Sequence, residues 1–394
     1  MPWPIPELSP SELPKPIDWR IWSLVFVAVF GLSFAAVVFF WPQGRTTHTA
    51  MFWTLVAGAP LSLFAIVFGV KLNDWEQRQL EHEERVRENE RLMSLWHTWA
   101  NRGIFVANAT CLPGGVENTD GWERLDYSFP VNLGRGRALD CLEPIAAEKR
   151  HETVIALIAD RFSKQLLAVR SLNVLVLLDE KSAEDMAQWD VAVRAVLSTH
   201  PIRLSVDCIP ASGDLSSLSI YVDQNNMPPT LIIAGQFWTA GVNPGYSEGV
   251  AGILMCSMQS AVRTRDENAL AGCRLLRPML SATSEIGADL HQATKFQVGR
   301  NSIQYAWLGA LDMEAVSALR LEMGRCLSTK EAAIRDMDEV FGIPGPVSPW
   351  LTLAIAVEMG LRSGKPQLAA ICDSASKRSV LCTLLPEKAK DQST

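Results

Sequence analysis

The chain has 394 residues and a formal net charge of −7, and its isoelectric point is near 5.5. An acidic chain without clustered Lys and Arg is not expected to bind nucleic acid. The eight cysteines are scattered without a Cys-x-x-Cys pair, which favours reduced thiols over a disulfide framework or a zinc site. No two-histidine metal spacing and no phosphate-binding loop occurs, so we expect neither a metal nor another cofactor.

Two apolar stretches near the amino terminus predict a pair of transmembrane helices. Residues 21–41 and 51–70 contain no ionisable side chain. At a helical rise of about 1.5 Å per residue, each stretch can cross a hydrocarbon core of about 30 Å. The linker between them is short, so residues 21–71 are predicted to form an antiparallel hairpin in the lipid bilayer.

The charges around the hairpin predict its orientation. Lys15 and Arg20 precede the first stretch, whereas the linker carries only Arg45. Four further cations follow the second stretch, at Lys71, Arg78, Arg85 and Arg87. Positive flanks stay in the cytoplasm. We therefore expect a multi-pass inner-membrane protein with a cytoplasmic amino terminus and a cytoplasmic carboxyl-terminal domain.

The hairpin is flanked by an arm and a stalk. Residues 1–20 contain six prolines, which favour an extended, solvated arm. Residues 72–103 are rich in charge and carry few apolar positions, without a heptad repeat. This pattern predicts a solvated helical stalk that ends near Gly103, and a dimerising helix is the alternative that stays open.

Short apolar runs then alternate with helical patterns, which predicts a layered α/β region. Two halves are expected, at residues 104–265 and 266–386, followed by a charged tail at 387–394. Predicted strands are 104–107, 172–178, 202–207, 230–234, 249–258, 301–307, 367–372 and 379–385. Predicted helices are 139–159, 182–197, 313–327 and 350–362, the second of them with Ser182 as its cap.

One short motif is a candidate catalytic site. Residues 245–249 match Gly-x-Ser-x-Gly, the nucleophile elbow of α/β-hydrolases, with Ser247 as the nucleophile. That elbow needs a strand ending at the serine and a helix starting just after it. Here the predicted upstream strand ends at Ala234, and the downstream run predicts another strand. We interpret the motif as an exposed turn held by Gly245 and Gly249.

The second half of the chain resembles ketosynthases of the thiolase-like class. Residues 244–254 are similar to that family's loop, which ends in Glu-Gly and opens an apolar strand. Residues 303–319 resemble its strand and helix around a catalytic histidine, with Leu308 at the histidine position. Residues 346–356 resemble its next segment, again without a histidine. The resemblance covers roughly residues 172–386 and implies a thiolase-like fold that lacks the acyl-transfer machinery.

The overall layout is similar to type VI secretion lipase adapter proteins, which pair an amino-terminal membrane hairpin with a non-catalytic cytoplasmic α/β region. The resemblance implies two partners, a phospholipase effector and the secretion spike protein on which the effector is loaded. No functional residues carry over. The leading hypothesis is thus a membrane-anchored, non-catalytic adapter. An acyl-transfer or serine-hydrolase-like enzyme and a structural membrane subunit are the alternatives.

Overall fold

The computed structural model describes residues 3–6, 13–211, 215, 217–224, 226–238, 245–257, 272–298, 302–326, 333–373 and 376–387. The chain divides into two compact units. Ile5–Leu95 forms one unit, and Trp3 and Pro4 belong with the chain from Trp96 onward to the other.

The first unit is built on two helices. Helix α1 spans Trp19–Phe40 and helix α2 spans Ala50–Ala100, and both are long and apolar enough to cross a membrane by length and composition. Aromatic rings join the two helices, with Trp22 5.2 Å from Phe68 and Phe26 4.9 Å from Phe64, measured between ring centroids. The predicted pair of apolar helices is therefore present, and α2 continues into the predicted stalk without a break.

Helix α2 accommodates an internal proline by widening one turn. Pro60 has no backbone N–H and its ring crowds the carbonyl four residues earlier, which disfavours regular α-helix there. A π-helical turn at Thr54–Gly58 lies immediately upstream, and the N–H of Ala59 donates to the carbonyl of Thr54. A π-turn absorbs the mismatch, so the helix continues past the proline.

Within the described residues, the second unit contains one mixed sheet of eleven strands. The strands are β1 Gly103–Pro113, β2 Ser171–Leu178, β3 Arg203–Pro210, β4 Thr230–Gln236, β5 Gly249–Cys256, β6 Gly272–Leu276, β7 Met279–Ser281, β8 Tyr305–Gly309, β9 Ala333–Asp336, β10 Gln367–Asp373 and β11 Arg378–Glu387. Their order is β3-β2-β4-β5-β1-β6-β11-β10-β8-β9, and β7 pairs with β11. The β2, β3 and β4 strands are parallel, as are β8, β9 and β10.

Helices cover this sheet in layers. They are α3 Ala147–Arg161, α4 Ser163–Leu167, α5 Met186–Leu197, α6 Ser217–Asp223, α7 Ile286–Phe296, α8 Met313–Cys326, α9 Met337–Phe341 and α10 Ser348–Ser363. Helix α10 is buried from Ser348 to Gly360 and packs on strands of both halves, including β1 and β10. A second core lies between α3, α5 and the first-half strands. The predicted layered α/β class is confirmed.

Several predicted elements differ in detail. The predicted 139–159 helix is interrupted, because a 3₁₀ turn at Asp140–Leu142 precedes Pro144 and α3 begins only at Ala147. A 3₁₀ turn also occupies Ser182–Asp185, so α5 starts at Met186 and Ser182 makes no side-chain cap. The strand predicted at 301–307 begins at Tyr305, and its first residue lies outside the described part of the chain.

Candidate functional site

The predicted serine site lies at the entrance to β5. Gly245 has a φ of +89°, a conformation that favours glycine. Ser247 and Glu248 follow, and β5 begins at Gly249. A strand, and not a helix, therefore starts after the serine, so this segment lacks the strand–serine–helix geometry of a nucleophile elbow.

Ser247 is buried, with 2% of its surface exposed, so the prediction of an exposed turn is wrong. Its hydroxyl accepts a hydrogen bond from the N–H of Arg137 at 3.1 Å and donates to the carbonyl of Arg135 at 3.4 Å. Its own N–H donates to the carbonyl of Ile343 at 2.9 Å. The hydroxyl is thus engaged by backbone groups more than 100 residues upstream, which suits a structural role.

Glu248 joins the same segments through its carboxylate. One oxygen accepts from the N–H of Leu139 at 2.8 Å, and the other accepts from the N–H of Trp238 at 2.7 Å. The guanidinium of Arg150 lies 3.5 Å away and compensates the buried charge. Only 2% of Glu248 is exposed. A carboxylate with this many donors fixes the loops around it.

His291, the only histidine after Ser247 in the sequence, lies on α7 together with Asp289. His291 is exposed and Asp289 is buried. Burial raises the pKa of the Asp289 carboxyl. Neither residue is among the groups that bond Ser247. The described residues contain no group of three or more His, Cys, Asp or Glu side chains arranged to hold a metal.

A second polar cluster lies where the parallel strands β8, β9 and β10 end. Ala310 follows β8 with a φ of +55°, and its N–H donates to both carboxylate oxygens of Asp338 at 3.0 Å. Burial and, to a lesser degree, the charge of Asp336 raise the pKa of Asp338 to about 7. Sequence reasoning did not single out this pair, because the two residues are 28 positions apart.

Cys372 and Asp373 complete this end of the sheet. Asp373 is 1% exposed and accepts from the N–H groups of Leu215 and Ser376, each at 3.0 Å. Burial, followed by the charges of Asp373, Asp312 and Asp338, raises the pKa of the Cys372 thiol. A nucleophilic cysteine needs the opposite shift, toward thiolate. Leu308, at the histidine position of the ketosynthase resemblance, is fully buried in β8.

The most accessible candidate surface is a long loop beside strand β9. Residues 114–139 form no helix or strand, and loops of this length within a compact domain are often functional. Trp122 anchors the loop with no exposed surface, its ring centroid 6.2 Å from Phe341 and 4.9 Å from Phe129. The loop is therefore ordered by the core.

Polar contacts tie the loop to the segment that follows β9. The backbone N–H of Asn132 donates to the carbonyl of Glu339 at 2.8 Å, and its amide donates to the carbonyl of Val340 at 2.8 Å. The guanidinium of Arg335 lies 4.7 Å from the ring centroid of Phe129 and donates to the carbonyl of Leu125 at 2.9 Å.

Between the loop and β9 lies a groove of about 350 Å³. Residues 127–131 line one side of it, and residues 334–337 line the other. β9 is an edge strand on the path of described strands, and it pairs only with β8. Val131, which lines the groove, is 74% exposed, and Leu133, two residues further along the loop, is 66% exposed. An edge strand beside exposed apolar side chains is a surface that can take a protein partner.

No protein-family model and no curated protein matches this sequence. Several solved structures are similar to this chain at low identity. The tetronic acid condensing enzyme AbyA1 is 12% identical, covers 71% of this chain and 99% of its own, and has a TM-score of 0.46. A variant of OleA from Xanthomonas campestris is 11% identical, with 72% and 99% covered and a TM-score of 0.45. The ishigamide ketosynthase/chain length factor is 12% identical, with 73% and 100% covered and a TM-score of 0.45.

Proposed function

We infer that this protein is a membrane-anchored, non-catalytic binding protein. Its two apolar helices hold it in the inner membrane, and its α/β region faces the cytoplasm and captures a protein partner. By resemblance, that partner is a phospholipase effector, which the protein helps to load onto a type VI secretion spike protein. The surface we assign to partner binding is the groove between residues 127–131 and β9.

The observation that carries the proposal is the ordered loop with its exposed apolar rim. Trp122 anchors the loop without exposed surface, and Val131 and Leu133 further along the same loop are exposed, so part of the entropy cost of ordering this surface is met before a partner binds. On the path of described strands β9 is an edge strand, and it lies across the groove from Val131, where a partner could add a strand by β-augmentation. Together these features support binding better than chemistry.

The absence of activating groups at the two polar clusters supports the non-catalytic part of the proposal. The Ser247 hydroxyl bonds backbone groups, and the Cys372 thiol has a raised pKa. General acid–base catalysis contributes roughly 100-fold to 10,000-fold in rate and requires a titrating side chain at the nucleophile. Among the described residues, the hydrogen bonds of the Ser247 hydroxyl go to backbone groups, and the titrating neighbours of Cys372 are Asp373, Asp312 and Asp338, whose charges oppose a thiolate.

The experiment is capture of a purified lipase effector by the full-length protein in detergent. A Val131→Asp, Leu133→Asp double variant should reduce affinity by about tenfold or more, because it places charge at an apolar interface. The control is Leu167→Asp, which changes an equally exposed leucine (72%) on α4. No capture by the unaltered protein would contradict the adapter role. Capture that the double variant leaves unchanged would contradict the assigned surface.

A further inference from the structure

The first unit contains a cleft of about 680 Å³ between the amino-terminal arm and α2. Residues 13–18 of the arm form one wall. The other wall is one face of α2, on which the lining residues recur every three or four positions from Lys71 to Arg85. Residues at this spacing share a helix face. The cleft is therefore a shaped site with walls from two separate segments.

The position of the cleft follows from where the apolar segments end. Helix α1 starts at Trp19, and the apolar part of α2 ends at Val70. Trp22 and Trp75 line the cleft close to these limits. Indole rings at the end of a membrane span lie at the level of the lipid headgroups. If the two helices span the bilayer as proposed above, the inner end of the cleft lies at headgroup depth.

Cations exceed acids in the cleft. Asp74 is shared by two of them, with Lys71 at 3.3 Å and Arg78 at 3.1 Å. Arg85 and Glu81 are 3.9 Å apart and largely exposed, so that pair is weak. Lys15 makes no ion pair within the described residues, and Asp18 is engaged as the α1 cap by the N–H of Arg20. The cleft thus has positive charge to spare for an anion.

An unpartnered donor marks the same place. The indole Nε1 of Trp75 is buried without a hydrogen-bond acceptor among the described residues. A buried donor without a partner is uncommon in a folded protein, and an oxygen-rich ligand would satisfy it. Phosphate oxygens bond both indole N–H and ammonium groups.

We propose that this cleft binds the phosphate headgroup of an anionic membrane phospholipid, which Lys15, Arg78 and the indole of Trp75 contact. Basic residues at the cytoplasmic end of membrane helices attract anionic lipid headgroups. The bound lipid would join the arm to α2. The inference rests on the membrane-spanning part of the proposed function.

The test is native mass spectrometry of the full-length protein released from nanodiscs of equimolar phosphatidylglycerol and phosphatidylcholine. The unaltered protein should retain phosphatidylglycerol in several-fold excess. A Lys15→Gln, Arg78→Gln double variant should lose this preference, and Trp75→Phe should lose part of it. The control is Arg87→Gln, because Arg87 lies on α2 outside the cleft and is 78% exposed.

Four outcomes decide the matter. Equal lipid retention by the double variant and the unaltered protein would overturn the headgroup site, even with the protein fully embedded. Loss of the preference in Arg87→Gln as well would overturn it by showing a general surface-charge effect. Displacement of the lipid by about a 10-fold excess of inorganic phosphate would show that the two compete for one site. This outcome would overturn the lipid as the ligand in favour of free phosphate. Failure of the protein to enter nanodiscs would overturn the membrane anchor and this inference together.

Discussion

The indole of Trp3 packs edge-on against that of Trp99, with ring centroids 5.5 Å apart. Its Nε1 donates to the carbonyl of Pro278 at 3.4 Å, and only 6% of Trp3 is exposed. Helix α1 and nearly all of α2 lie between these tryptophans in the chain. The amino-terminal segment is thus docked on the α/β unit, which corrects the prediction of a solvated arm at this point. It also supports the proposal that both ends lie on one side of the membrane.

Replacing Trp3 with Ala should destabilise the α/β unit. The change removes a buried indole and its hydrogen bond to Pro278. We expect a loss of about 2 to 3 kcal/mol in the free energy of unfolding, which is less than for a tryptophan inside the core because a chain end can fray. Urea unfolding of the full-length protein in detergent measures it. Trp53→Ala, which changes a 59% exposed indole, is the control and should lose far less. Equal losses would contradict the docking.

Ser247→Ala should cost stability and leave partner capture intact. The substitution leaves the N–H of Arg137 without its acceptor in a buried place, so we expect a loss of about 1 to 3 kcal/mol. Denaturant unfolding and the lipase capture assay are run on the same preparation. An esterase activity in the unaltered protein that this variant abolishes, with unfolding unchanged, would show an active site instead.

Gly249→Val should destabilise the protein. Gly245 has a φ of +89°, whereas Gly249 is not among the described glycines with a positive φ. A Cβ at Gly249 would lie 2.8 Å from Cδ1 of buried Leu351. Overpacking of this kind costs about 1 to 3 kcal/mol. Gly324→Val is the control, because nothing lies within 4 Å of that site. A larger loss of stability in Gly324→Val than in Gly249→Val would contradict the packing argument.

The pattern of apolar residues along the chain predicted those strands and helices whose own residues are mostly apolar. The strands β2, β4, β10 and β11 are rich in apolar residues, and the apolar helix predicted at 350–362 forms most of the buried helix α10. The strands β6 and β7 were missed because Arg274 and the Arg277-Pro278 pair interrupt their apolar pattern. Arg277 is buried by an ion pair with Asp223 and by the Trp99 ring, 4.1 Å away, neither of which is a local signal.

The candidate site was harder to predict for the same reason. A Gly-Tyr-Ser-Glu-Gly segment is typical of a surface turn, so the sequence predicts an exposed Ser247. Its burial depends on Arg135 and Arg137, more than 100 residues upstream, and on Ile343, nearly 100 downstream. The groove beside β9 likewise depends on the loop residues 127–131, which are distant from β9 in the sequence. Such long-range pairing is invisible to periodicity.

Stability should depend on pH through Asp338. Burial raises its folded pKa from 3.8 to about 7, so the folded protein holds this proton more tightly than the unfolded chain. The contribution of this group to the free energy of unfolding is therefore largest below about pH 4 and falls as pH rises to about 7. Urea midpoints at pH 5 and pH 8 measure the change. Asp338→Asn should flatten it, and the same slope in both proteins would exclude Asp338 as its source.

The proposed adapter role requires a membrane hairpin that leaves both ends of the chain in the cytoplasm. Dual reporters, one active in the periplasm and one fluorescent only in the cytoplasm, are fused in the loop at Thr47 and after Thr394. We predict a periplasmic signal at Thr47 and a cytoplasmic signal at the carboxyl terminus, because positive charge flanks both outer ends of the hairpin. A periplasmic signal at the carboxyl terminus would contradict the cytoplasmic α/β region and the adapter role proposed for it.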